Sequence, residues 1–238
     1  MFKYLAVILF VLITLSTQAQ LSVGIRQGYG TFGIHLEPSS IEKYQVPYLL
    51  PNTGIVVIFN NINNAGIQME INYAKKGWQE KDTISTNSYF KRTINYLEIP
   101  FYSRWEIGYR KVKPIIFAGP YLAFKLNEKT DSLNFSHIWN EYHPYNHYNQ
   151  EIKNIDFGIK LGLGIKYSIT NKLSIYIDAR YDFEFAGGQD IFIDHPNDIQ
   201  ASRLKELSGT FGIVWNLIPQ EEREKKDIYI PKENLYDN

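Results

Sequence analysis

The chain has 238 residues, with 25 Lys and Arg against 25 Asp and Glu, and it contains no cysteine. The balanced charge gives no basic footprint for nucleic acid, and the lack of cysteine excludes disulfides, thiolate metal sites and a cysteine nucleophile. No segment beyond the first twenty residues approaches the ~20 apolar residues that a transmembrane helix needs. Any membrane crossing must therefore be made by strands.

The N-terminus has the pattern of a secretory signal. Lys3 precedes an almost wholly apolar run over 4–15, and the small residues Thr17 and Ala19 precede Gln20. A positive charge, a short apolar segment and a small-residue site, in that order, are typical of a cleaved export signal. We therefore predict a signal peptide over the first 19 residues and a mature chain that begins near Gln20.

Alternation of apolar and polar residues runs through most of the mature chain, which indicates strands with two different faces. The clearest case is 155–169, where every odd position is apolar and every even position is Gly, Ser or charged. Two segments, 53–59 and 114–126, are apolar on both faces, so their facing is not assigned. In chain order the pattern predicts eight strands, over 21–34, 53–60, 66–76, 93–107, 113–126, 154–169, 172–185 and 204–217.

The connectors between these strands alternate in length. Those after the second, fourth and sixth strands are short, whereas those after the first, third, fifth and seventh strands each have more than fifteen residues. Outer membrane barrels have this asymmetry, with short periplasmic turns and longer external loops. The sequence therefore predicts an all-β fold, an eight-stranded antiparallel up-and-down transmembrane β-barrel over 20–218, followed by a short polar tail over 219–238.

The polar face of the predicted strands favours a membrane barrel over a soluble one. It combines glycines with a few charges of both signs, whereas a water-facing sheet usually has more Lys and Glu and fewer glycines. A crowded interior favours this mixture, because glycines leave room and opposite charges neutralise one another. An eight-stranded barrel has a lumen that side chains just fill. The candidate lumen network consists of Glu70, Glu98, Arg104, Lys160, Lys166, Asp178, Arg180, Asp182 and Glu184.

Three groups of sequence motifs occur in the predicted strands. They are the strand end 71–77 (INYAKKG), the hairpin of 96–100 (YLEIP) with 113–121 (KPIIFAGPY), and the motifs 156–158 (DFG) and 162–164 (GLG). They resemble a strand-end motif, the central hairpin and the sixth strand of the PorT-like outer membrane β-barrel proteins of Bacteroidetes. The resemblance covers most of the mature chain and implies an outer membrane barrel. Because named members are linked to protein secretion, it also implies a secretion-linked role.

Two functions of different class remain open. The first is a non-enzymatic outer membrane barrel with a filled lumen, surrounded by outer membrane lipid, which acts on other envelope proteins through its 127–153 loop. The second is a soluble exported lipocalin-like barrel that binds a small apolar ligand. The sequence has neither a phosphate loop nor a serine nucleophile elbow. It predicts no catalytic residue, cofactor, metal or nucleic acid partner.

Overall fold

The structure is a computed structural model that describes residues 20–37, 45–60, 64–81, 88–108, 111–133, 151–184 and 201–217. The predicted signal peptide and polar tail lie outside the described residues, as does most of the 127–153 loop. In the described part of the chain, no helix is long and apolar enough to cross a membrane.

Eight long strands form a closed antiparallel barrel. Each long strand pairs with its neighbours in the chain, and β1 pairs with β9 to close the sheet. This confirms the predicted eight-stranded up-and-down topology. In the described ranges the strands are β1 (Gln20–Glu37), β2 (Gln45–Val46), β3 (Tyr48–Asn60), β4 (Ala65–Lys81), β5 (Tyr89–Glu106), β6 (Val112–Leu133), β7 (Ile155–Ser168), β8 (Leu173–Glu184) and β9 (Ala201–Asn216).

Several strands run further than the sequence pattern predicts. β4 continues to Lys81, β5 begins at Tyr89 and β6 continues to Leu133. The prediction that every long connector exceeds fifteen residues is therefore wrong for 82–88, and also for 38–47 between β1 and β3. The backbone ladder continues because sheet pairing does not require an apolar outer face. The two-residue strand β2, which pairs with the end of β4, is too short to show any alternation.

The apolar side chains of the barrel point outwards. In β7, Leu161 is 42 % exposed and Leu163 is 68 % exposed. Lys160, which directly precedes Leu161, is only 1 % exposed. Exposed large apolar residues occur on all eight long strands. A lipocalin-like barrel requires the reverse, with apolar side chains inside around a ligand. The burial pattern therefore contradicts that alternative and suits a barrel surrounded by lipid.

The structure also assigns the two segments with apolar residues on both faces. In β3 the even positions face inwards and the odd positions outwards, whereas in β6 the odd positions up to Ala123 face inwards. The inward apolar residues meet in one layer of the lumen, formed by Val56, Ile58, Tyr102, Ile115, Phe117, Tyr176 and Val214.

Glycines make room for the aromatic rings of this layer. A Cβ atom on Gly162 would lie 2.1 Å from the ring of Phe117, and one on Gly212 would lie 2.2 Å from the ring of Tyr176. Both distances are far below van der Waals contact, so any larger residue would force the ring to move. The glycines on the polar face therefore allow large side chains from neighbouring strands to fill the lumen.

Candidate functional site: the ion-paired lumen

The structure places eight of the nine candidate network residues inside the barrel, each at most 6 % exposed. Glu184 pairs through its backbone with Gly158, and its side chain lies outside the described residues. The strands bring the eight residues together because alternate positions on adjacent antiparallel strands face the same side. They form three clusters, which we call inner, central and outer in order of increasing distance from the short turns.

The central cluster is built around Glu70. Its carboxylate accepts hydrogen bonds from Arg26 at 2.9 Å and from Arg180 at 2.8 and 3.0 Å. The amide of Asn72 donates a further bond at 2.9 Å. Arg180 also donates to Asp178 at 2.7 and 3.0 Å. Two guanidinium groups thus face two carboxylates, and the cluster has no net charge.

Arg180 also contacts the aromatic layer below it. Its guanidinium carbon lies 5.5 Å from the ring centroid of Tyr102 and 5.0 Å from that of Phe117. A guanidinium within about 6 Å of a ring centroid is attracted to the ring face. Arg180 therefore links the ion pairs to the apolar layer, which leaves it few alternative positions.

The outer cluster consists of Lys76, Lys160, Glu98, Asp182 and Glu206. Lys160 lies 2.9 Å from Glu98, 2.9 Å from Asp182 and 3.2 Å from Glu206. Lys76 lies 3.0 Å from Glu98, 3.5 Å from Asp182 and 3.8 Å from Glu206. Lys160 is therefore shared among three carboxylates, and Lys76 among four, because Asp156 also lies 3.5 Å from its ammonium group. Four carboxyl groups, Asp156 included, surround two ammonium groups, so the cluster has an excess of negative charge.

Oxygen atoms of Glu98, Asp182 and Glu206 lie within 4.8 Å of one another. Carboxylate oxygens at this spacing are ligands that hard divalent cations accept. However, the ammonium groups of Lys76 and Lys160 already lie among these oxygens. The donor set is therefore neutralised largely by the protein's own cations, and the arrangement is that of a buried ion-pair cluster.

The inner cluster surrounds Glu106, close to the short turn after β5. Lys166 lies 2.9 and 3.0 Å from the Glu106 carboxylate, Arg104 lies 3.4 Å away and Lys113 3.5 Å away. Asn60 donates a further hydrogen bond at 2.8 Å. Three cations against one carboxylate give this cluster two excess positive charges. The charge of the lumen thus changes from positive at the short turns to negative towards the long connectors.

The family model of the outer membrane protein beta-barrel domain matches residues 10–186, which is most of the chain. The chain belongs to this family. It is therefore an outer membrane β-barrel protein. A comparison with curated protein sequences found no significant match.

Solved outer membrane barrels resemble this outer membrane protein at low identity. Neisserial surface protein A has 12 % identity and a TM-score of 0.45, with 83 % of this chain and 98 % of that chain covered. OprG from Pseudomonas aeruginosa has 10 % identity and a TM-score of 0.46, covering 83 % and 95 %. The outer membrane enzyme PagL has 13 % identity and a TM-score of 0.43, covering 79 % and 97 %. Similarity at this level carries no functional information.

Six buried charged residues on the inward face of this outer membrane barrel are absent from the sequence-based candidates: Arg26, Lys76, Glu80, Arg92, Glu106 and Glu206. Each occupies an even position of a strand whose other even positions face inwards. Extending the alternation along β1, β4, β5 and β9 would have found them. Arg26, Lys76, Glu106 and Glu206 lie within the predicted strands, so the alternation already places them on the polar face, whereas Glu80 and Arg92 lie beyond the predicted ends of β4 and β5.

Proposed function

We propose that the protein is a non-enzymatic outer membrane barrel with a filled, non-conducting lumen, which acts as an accessory or interaction protein of the cell envelope. The observation that supports this most directly is the stack of three buried charge clusters and one aromatic layer. Among the described residues, large side chains such as Trp78, Arg104, Tyr176 and Lys160 are less than 2 % exposed. A barrel packed in this way serves as a rigid support for its loops.

The charge distribution in the lumen also argues against ion passage. The inner cluster, with its excess positive charge, would repel cations, whereas the outer cluster, with its excess negative charge, would repel anions. Ions of either sign would therefore meet one repulsive cluster in addition to the steric block. The contacts that matter for function are then made by the parts that extend beyond the membrane.

We expect the purified mature chain to show no steady conductance in planar bilayers, because its own side chains fill the lumen. The measurement is single-channel recording at matched protein amounts, with a general porin in the same lipid as a positive control. Steady openings of porin size from the pure protein would contradict the filled lumen and this proposal with it.

In this proposal residues 1–19 form an export signal that is removed near Gln20, and the long connectors face the outside of the cell. The loop over 127–153 is the longest connector predicted from the sequence and is the proposed contact region for other envelope proteins. A link to protein secretion is part of the proposal through the resemblance to PorT-like proteins of Bacteroidetes. That resemblance is based on the motifs at 71–77, 96–100, 113–121, 156–158 and 162–164.

An epitope tag inserted within 142–149 should bind antibody on intact cells, because a partner of the loop must reach it from outside. The same tag at Thr170-Asn171, in the short turn between β7 and β8, should bind antibody only after the outer membrane is permeabilised. Both insertions fall in connectors, so neither interrupts a long strand. Surface labelling of the second tag but not of the first would invert the proposed orientation.

A further inference from the structure

Three adjacent strands continue beyond the apolar belt on the side of the long connectors. On β4 the exposed apolar residues end at Tyr73, and the next outward residue is Lys75. Asn95 of β5 pairs with Lys75, and Asn127 of β6 pairs with Asn95. The outer surface therefore changes from apolar to mostly polar at the same height on all three strands, with Leu133 as an exposed apolar residue above that height. This boundary marks the level at which lipid headgroups begin.

The outward face above this boundary is rich in lysine. Lys75 and Lys81 lie on β4, Lys91 on β5 and Lys129 on β6, and the register interleaves them with uncharged side chains. Among the described residues of this face, Asp131 is the one carboxylate. From strand and residue spacing, the backbones of Lys91 and Lys129 are about 8 Å apart, and those of Lys75 and Lys129 about 12 Å apart. We call these four residues the outer lysine face.

The outer lysine face differs from the inward face of the same strands. Inward cations have carboxylate partners: Lys76 lies 3.0 Å from Glu98, and Arg92 lies 3.0 Å from Glu128. In the part of the chain that the structure describes, no ion pair joins Lys75 or Lys129 to a carboxylate. Lys91 lies over the ring of Tyr89 at 4.7 Å. Lys75 and Lys129 are thus outward cations at headgroup level whose charge the described residues do not balance, whereas Lys91 lies opposite Asp131 in the strand register.

We propose that the outer lysine face binds the phosphate groups of a glycolipid in the outer leaflet. Lys75 and Lys129 lie just above the lipid belt, where a lipid headgroup must pass, and the charge of the whole outer lysine face is complementary to phosphate. Basic residues at a membrane surface attract anionic lipids, and the lysine ammonium is a common partner of phosphate. The inference rests on the proposed function, in which the long connectors lie outside the cell. Only that orientation places the ends of β4, β5 and β6 that carry the lysines at the outer leaflet.

The test compares two double variants with the same loss of charge. Lys75→Gln/Lys129→Gln removes two cations from the outer lysine face, whereas Lys111→Gln/Lys172→Gln removes two exposed cations at the short-turn end. The full mature chain in non-ionic detergent is titrated with bisphosphorylated lipid A, and bound lipid is counted by native mass spectrometry. We expect roughly ten- to thirtyfold weaker binding for the first variant, and unchanged binding for the second. Dephosphorylated lipid A should bind the unmodified protein as weakly as bisphosphorylated lipid A binds the first variant.

Equal binding by the two double variants, or equal binding of phosphorylated and dephosphorylated lipid, would overturn the headgroup site. A separate arm tests the orientation alone. The chain contains no cysteine, so Lys129→Cys introduces a single thiol, which a membrane-impermeant maleimide should label on intact cells. A thiol that reacts only after permeabilisation would overturn the orientation in the proposed function. A labelled thiol together with unchanged lipid binding in Lys75→Gln/Lys129→Gln would overturn the lipid site and leave the orientation intact.

Discussion

Replacing Glu70 by glutamine is expected to lower the free energy of unfolding by about 3–5 kcal/mol, the usual cost of breaking a buried ion pair by removing one partner. The Glu70 carboxylate is fully buried and accepts hydrogen bonds from Arg26, Arg180 and Asn72. Glutamine keeps the shape but removes the charge, and it turns an NH2 group towards donors. The measurement is reversible urea unfolding of the barrel in lipid vesicles.

Glu128→Gln is the matched control. Its carboxylate pairs with Arg92 at 3.0 Å but is 30 % exposed, and partly exposed pairs contribute ~0–1 kcal/mol. A loss of stability for Glu70→Gln no larger than that for Glu128→Gln would contradict the view that the central cluster holds the barrel interior together.

Replacing Leu161 by arginine is expected to lower the free energy of unfolding by about 2–4 kcal/mol, the cost of an arginine facing lipid at the bilayer midplane. Leu161 points outwards halfway along β7, between the exposed residues Ile155 and Tyr167 near its two ends. An arginine there cannot reach water without distorting the bilayer. Unfolding in vesicles of matched thickness measures the change.

Leu126→Arg controls for the chemistry of the substitution. Leu126 is also exposed on the outer surface, but it lies beside Asn127 at the upper boundary of the apolar belt. Near the interface the cost of arginine falls to about 0–1 kcal/mol. If both variants lost the same stability, the position of the membrane along the strands would be wrong.

Much of the barrel could be predicted because its strands have two chemically different faces. In 155–169 the odd and even positions never mix, so the lipid side and the lumen side follow from the sequence alone. The strand over 53–60 could not be oriented in this way, because Ile55 and Val56 are equally apolar. Its facing is set by the register with β1 and β4, which depends on pairing with residues distant in the sequence.

The lumen clusters could be predicted as a set but not as pairs. Alternation identifies Glu70 and Arg180 as inward residues, yet they are 110 positions apart and meet only across the barrel interior. The lengths of β4, β5 and β6 were underestimated for a related reason. Beyond Lys75 the outer face becomes polar, so the apolar alternation ends although the backbone pairing continues to Lys81.

The central claim is that apolar residues face lipid while the lumen is closed to it, and a pair of residues at one height tests this directly. Phe117 pairs with Gly162, the neighbour of Leu161, so Phe117 and Leu161 lie at the same depth on opposite faces of the wall. Single tryptophans at these positions, in a chain whose four native tryptophans are replaced by phenylalanine, are compared in lipid with brominated acyl chains. Leu161→Trp should be strongly quenched and Phe117→Trp should keep its fluorescence. Stronger quenching of Phe117→Trp than of Leu161→Trp would mean that the barrel wall faces the other way, and the membrane assignment would be wrong.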